Sequence, residues 1–150
     1  MSIRPFVHLH VHTEYSLVDS TVRIGSLMQR CAEDGMPAVA LTDQNNLFGM
    51  VKFYRKALAA GVKPIIGVDL RIANEDDASR PLHLVLLCQN AGGYRNLSKL
   101  LTRAFLEGQH RGEPLVQRQW LTAESCEGLI ALSAGLHGDV GHALHNGHYD

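Results

Sequence analysis

Three histidines alternate along Phe6–His12, which reads F-V-H-L-H-V-H. In a strand, alternate residues share a face, so His8, His10 and His12 would stand opposite Val7, Leu9 and Val11. Neutral imidazole is a good ligand for zinc, iron or manganese, and two imidazoles at i and i+2 can converge on one divalent ion. The alternative is a strand whose histidines simply face water, but three titratable side chains on one short buried strand are costly without partners. His8 lies farthest from the carboxyl end of the segment and is assigned a structural part. His10 and His12 are the candidate ligands.

Three acidic residues could complete a site. Asp19 follows the histidine segment by one loop, Asp43 closes PAVALTD, and Asp69 lies within PIIGVDL. A loop aspartate caps turns and helices as readily as it binds metal, and Asp43 carries both readings. Asp69 sits inside an apolar run, where a lone carboxylate is expensive and a cationic partner is expected. His83 enters through a hairpin. If the runs flanking Asn74–Arg80 pair antiparallel about residue 77, residue 71 opposes residue 83 and residue 69 shares that face. Asp69 and His83 then become diagonal neighbours, and a slip of one residue would flip them apart. His10, His12, Asp69 and His83, with Asp19 nearby, form a mixed imidazole and carboxylate set. Such a set suits zinc, manganese or iron and points to hydrolysis of phosphate esters by metal-activated water.

The elements that must position these side chains alternate along the chain. Runs at Phe6–His12, Pro37–Thr42, Pro64–Leu70, Leu82–Cys88 and Leu129–Ser133 read as strands. Helical spacing joins Ile24, Leu27, Met28 and Cys31, then Leu47 to Leu58, then Tyr94 to Phe105. Gly35, Gly61 and Gly108 act as the stops. A weaker helical signal covers Val140–Leu144. Strand–helix alternation argues for an α/β sheet or barrel with largely parallel strands, in which chemistry collects at the strands' carboxyl ends. The single Trp120 reads as a packing anchor.

Composition narrows the class. The chain has 150 residues, 45% hydrophobic and 19% charged, which fits one compact domain and excludes disorder. A net charge of −1 gives this stretch no electrostatic reason to bind nucleic acid by itself. The opening MSIRPFVHLH has no signal-peptide core and no run reaches membrane-span length, so no membrane partner is expected. Cys31, Cys88 and Cys126 are odd in number and lack a CxxC motif, as for reduced thiols in a cytoplasmic protein. Among the nine histidines, His142 and His145 could share a helical face, though a solvated helix end is the simpler reading of His137, His142, His145 and His148. His110 sits in a polar loop.

The blocks FVHLHVHTEYSLVDS, ALTDQNNLFGMVKFY, KPIIGVDL and LHLVLLCQNAGGYRNLSKL resemble successive blocks of the PHP domain that opens the alpha subunit of bacterial DNA polymerase III, in its replicative form. The resemblance runs from Phe6 to the end of the chain. It implies a distorted (β/α)7 barrel, of which residues 1–150 would be the amino-terminal part. The ending at His148-Tyr149-Asp150 shows no natural closure, so the rest of the barrel and the polymerase domains are expected to lie beyond it. A lone piece of a barrel could then self-associate through unpaired strand edges. The resemblance implies that His10, His12 and Asp69, at the family's Glu position, share one metal. Asp69 would bridge to a second metal that uses His83, and Asp19 would help hold a third.

Two positions depart from the family pattern: Gln44 stands where metal-binding members carry His, and Gly135 where they carry Cys or His. The family's last two ligands would lie past residue 150. Metal is therefore expected to bind weakly or not at all. The resemblance further implies a structural role within a DNA-synthesising enzyme that uses magnesium. It also implies contact with the proofreading exonuclease subunit epsilon, reach to DNA only through the rest of the polypeptide, and no catalytic residue in this stretch. Against this stand an active metal-dependent phosphoesterase, either a 3′–5′ exonuclease or a relative of histidinol phosphatase, and a protein-binding module without chemistry.

Overall fold

The computed structural model of the chain describes residues 6–17 and 19–147, and the expectation for His148 lies outside these. The chain divides into two compact units, residues 1–68 and 69–150.

In the first unit, α1 (Ile24–Glu33) and α2 (Met50–Ala59) pack on β1 (Ala38–Leu41) and the start of β2 (Lys63–Ile72). The apolar spacing read from the sequence becomes the buried stripe: Ile24, Met28 and Cys31 from α1 meet Phe53 and Ala57 from α2 over Val39 and Leu41. Gly35 closes α1 at φ +65°, a conformation glycine adopts without steric cost, and Met36 N–H reaches back to the Cys31 carbonyl at 2.8 Å. β1 is buried along its whole length and pairs in parallel with β2, Val39 opposite Pro64 and Leu41 opposite Ile66. The carboxyl ends of both strands therefore point the same way.

In the second unit, β3 (Leu82–Cys88) leads into α3 (Ala91–Glu107), which buries Leu97, Leu100, Leu101 and Ala104. Asn90 caps that helix by accepting from Gly93 N–H at 3.0 Å. A small hairpin, β4 (Gln109–His110) and β5 (Glu113–Pro114), takes the place of the polar loop expected there. Trp120 is buried as anticipated, with the Arg103 guanidinium 4.2 Å above its ring. β6 (Leu129–Leu132) and the short helix α4 (Asp139–His145) end the described chain.

β1 neighbours β2, and β3 neighbours β6. The expectation of largely parallel strands holds for β1 and β2 but fails for β6, which runs antiparallel to β3 with Cys88 opposite Leu129. The reason lies in the connection. α3 carries the chain away from Cys88 and residues 109–128 carry it back, where Gln89 N–H donates to the Gly128 carbonyl at 2.9 Å. β6 thus starts beside the point where β3 stops.

Candidate metal centre

The histidine segment runs beside β1, but not as the regular strand its alternation suggests. His8 forms an isolated parallel bridge with Val39, and its carbonyl accepts Ala40 N–H at 2.8 Å. The next backbone bond joins Thr42 N–H to the Val11 carbonyl at 3.0 Å, which sets Val11 against Leu41. Three steps along the segment thus match two along β1, so one extra residue is inserted between His8 and Val11, as in a bulge. The Thr42 hydroxyl sits at the irregularity, accepting from Val11 N–H at 2.7 Å and lying 3.1 Å from its carbonyl.

The bulge decides which face the imidazoles take. Val11 packs into the core cluster with Val39 and Leu41, so His10 and His12, its neighbours on either side, face away from that cluster. His8 is separated from the pair and stacks edgewise on Phe6, ring centroids 4.8 Å apart. His10 and His12 come together, their Nε2 atoms 3.2 Å apart. Two nitrogens bound tetrahedrally at zinc distances would stand roughly 3.3 Å from one another, so the pair already has the spacing of a chelate. On the other side of the His12 ring, Nδ1–H donates to the Asp19 carboxylate. That contact fixes the tautomer and leaves Nε2 with its lone pair. Asp19, with 47% of its side chain exposed, therefore meets the pair from behind rather than from within.

Asp43 and its neighbours have a different task. Its carboxylate, 1% exposed, accepts from Thr13 N–H at 2.6 Å, the Thr13 hydroxyl at 2.8 Å and the Ser16 hydroxyl at 2.7 Å. Gln44 N–H in turn donates to Ser16 Oγ at 3.0 Å. The H-T-x-Y-S and T-D motifs are thus the two halves of one clamp that holds the loop after His12 against the end of β1. Of the two readings open for Asp43, the structural one fits. Thr13, Ser16 and Thr42, not singled out as sequence candidates, are the residues that aim the histidines. Their signal was present as small hydroxyl residues beside a Thr-Asp pair, each of which must find a partner once buried.

Asp69 lies near the carboxyl end of β2 and is also 1% exposed. Ile66 faces the core cluster, and an odd count of residues later Asp69 faces the opposite way. Its two oxygens stand 3.1 and 3.0 Å from His83 Nδ1, the diagonal contact expected from the hairpin about residue 77. His10 and His12 of the first unit offer imidazole nitrogens, and Asp69 of the second offers a carboxylate. An imidazole pair at this spacing is donor chemistry that fits a divalent transition-metal ion, and a carboxylate is a further ligand type that suits it. Within its unit each of the other two candidates supports a possible ligand: His83 touches Asp69, and Asp19 touches His12. Gln44 and Gly135 add no ligand. His142 turns to Asn146, whose Nδ2 lies 3.2 Å from its Nε2.

Comparison with known proteins gives this geometry a family. The PHP domain family model matches residues 8–150. Among curated proteins, the DNA polymerase III subunit alpha of Pseudomonas aeruginosa is 51% identical over 95% of the chain, which spans 12% of that protein. The Vibrio cholerae and Escherichia coli K12 subunits are 44% and 43% identical over 98% of the chain, and it spans 13% of each. The chain thus spans about an eighth of the length of these relatives. Two solved structures share the fold. One is a Bifidobacterium adolescentis protein assigned as a metal-dependent phosphoesterase (TM-score 0.52, 18% identity), and the other an amidohydrolase from Chromobacterium violaceum (TM-score 0.53, 21% identity). Each aligns with 65% of this chain and 32% of its own. With a family match over all but its first residues and relatives 43–51% identical over nearly its whole length, the chain belongs to the PHP domain family.

Proposed function

We propose that this chain is a PHP region of a replicative DNA polymerase III alpha subunit and that it serves the polymerase chiefly as a brace, while keeping a reduced divalent-metal site. The identity to three such subunits supports the first part. The observation that carries the second is the His10–His12 pair, set at chelating distance and oriented from behind by Asp19. Asp69 would complete the donor set, and zinc, manganese or iron suits it. When bound, the ion would supply Lewis acidity toward a phosphate ester. The residues themselves do the positioning: Asp19 holds the His12 proton on Nδ1, and the Asp43 clamp fixes the loop that carries Asp19. Gln44, whose amide is a poor zinc ligand, and Gly135, which offers no side chain, weaken the hold on metal. Magnesium-dependent DNA synthesis, contact with DNA and contact with a proofreading exonuclease subunit belong to the whole polypeptide under this reading, as does a cytoplasmic setting.

Zinc uptake and primer extension test the two halves separately. His10→Gln with His12→Gln is expected to weaken zinc binding by at least about tenfold in equilibrium dialysis, while primer extension by the full polypeptide stays within about threefold of wild type. Unchanged zinc binding overturns the site, and no primer extension by the wild type overturns the polymerase assignment. Phosphoesterase activity is the second reading, favoured by the His10–His12 pair at chelating distance. It would show as manganese-stimulated release of a 3′-terminal nucleotide that the double variant lacks.

A further inference from the structure

The sequence reads Leu47 to Leu58 as a helix with one apolar stripe, and the structure divides that stripe in two. Met50, Phe53 and Ala57 turn inward, Phe53 and Ala57 being fully buried in the core of the first unit. Val51, Tyr54, Arg55 and Leu58 recur at i, i+3, i+4 and i+7 and share the other face. That face is open. Val51 is 61% exposed and Leu58 57%, with Tyr54 exposed between them and Phe48, 70% exposed, just before the first turn. A helix face that only meets water carries polar residues. Large apolar side chains in a row at this spacing are instead the anchors by which a helix seats another segment.

The charge of the helix narrows the kind of segment. α2 contains Lys52, Arg55 and Lys56 and no acidic residue. Lys52 is committed, its Nζ 2.7 Å from the Glu14 carboxylate and 5.4 Å from the centre of the Tyr15 ring. Arg55 and Lys56 are exposed and have no carboxylate partner among the described residues. Arg55 stands within the apolar row and Lys56 beside it, so a covering segment needs apolar anchors flanked by acidic residues. Two free cations are too few for a nucleic-acid duplex or a membrane surface, and aliphatic Val51 and Leu58 offer no platform for bases. A second copy fits poorly for the same reason: a two-fold contact sets a patch against itself, here cation against cation with no acid on the helix. The nearest source is the polypeptide itself. The chain spans about an eighth of its curated relatives, so in a polypeptide of that length most of the surface that could cover α2 belongs to the same molecule.

We infer that the outer face of α2 is a docking surface for an acidic segment with apolar anchors, drawn from the same polypeptide outside residues 1–150. This rests on the proposed reading of the chain as a brace within a longer polymerase subunit, and it names the surface through which the brace acts.

The test places the photo-cross-linking residue p-benzoylphenylalanine in place of Val51 or Leu58 in the full polypeptide and maps the joined peptides by mass spectrometry. Both positions are exposed, and primer extension checks that each protein has folded. The expected product joins α2 to a net-acidic peptide from beyond residue 150 of the same molecule, at a yield independent of protein concentration. Arg55→Glu with Lys56→Glu should cut that yield at least about fivefold, because like charges then meet. The same charge change on α3, Arg95→Glu with Lys99→Glu, should leave it unchanged. A yield that rises with concentration shows a second copy, and cross-links to another protein or to lipid show another partner; either overturns the inference. So does a basic or uncharged target, an equal yield in wild type and Arg55→Glu/Lys56→Glu, an equal fall in both charge variants, or no cross-link in a protein that extends primers. A wild type that extends no primer overturns the polymerase reading itself, and this inference falls with it.

Discussion

Two aspartates, Asp43 just past the end of β1 and Asp69 in β2, are each 1% exposed, and they do opposite work. Three donors from the Thr13–Ser16 turn surround Asp43 within 2.8 Å. Asp69 faces an imidazole, with His83 Nδ1 at 3.0 Å. Burial is equal, so burial does not mark the functional one. The chemistry of the neighbours does. Hydroxyl and amide protons commit a carboxylate to structure, whereas an imidazole partner can exchange its proton for a metal ion.

Breaking the first aspartate should do the most damage. Asp43→Ala strands three buried donors and is expected to cost about 4 kcal/mol of stability in urea denaturation. Zinc binding should fall with it, because the loop carrying Asp19 is released. Asp69→Asn should separate the two roles: the amide oxygen still accepts from His83 Nδ1–H, so stability falls by about 1 kcal/mol. Zinc affinity measured by dialysis should nevertheless drop about 10- to 100-fold. Equal stability losses for the two variants would remove the distinction. A half-buried thiol, Cys88, sharpens it. Burial alone pushes the Cys88 thiol up to about 11 from an ordinary 9.0. A raised folded-state value means stability is complete below pH 9.0 and declines as pH rises through about 11. Cys88→Ala should flatten that decline in thermal melts taken across the window, the smallest of the three effects.

Much of this was legible in the sequence. Apolar periodicity located α1, α2, α3 and β1, β2, β3 to within a few residues, because each buries a face that its spacing announces. The Asp69–His83 contact followed from the parity of a hairpin. What was not legible depended on pairing between distant segments. The bulge before Val11 is a mismatch of three steps against two, invisible until both backbones are placed. The orientation of β6 was set by an irregular return path with no periodic signal. His137 looked peripheral because the His83 ring beside it lies on β3, more than fifty positions earlier, and only the tight turn at Gly138 joins them.

The inserted residue beside β1 makes the opening segment sensitive to length more than to composition. Counted straight on from the His8–Val39 bridge, His10 would have landed opposite Leu41, with its imidazole aimed at the oily cluster of Ile24 and Phe53. Dropping one residue near Leu9 would therefore bury both rings in grease while leaving H-x-H itself untouched. A motif search would score that shortened chain as intact, yet its ligands would point the wrong way.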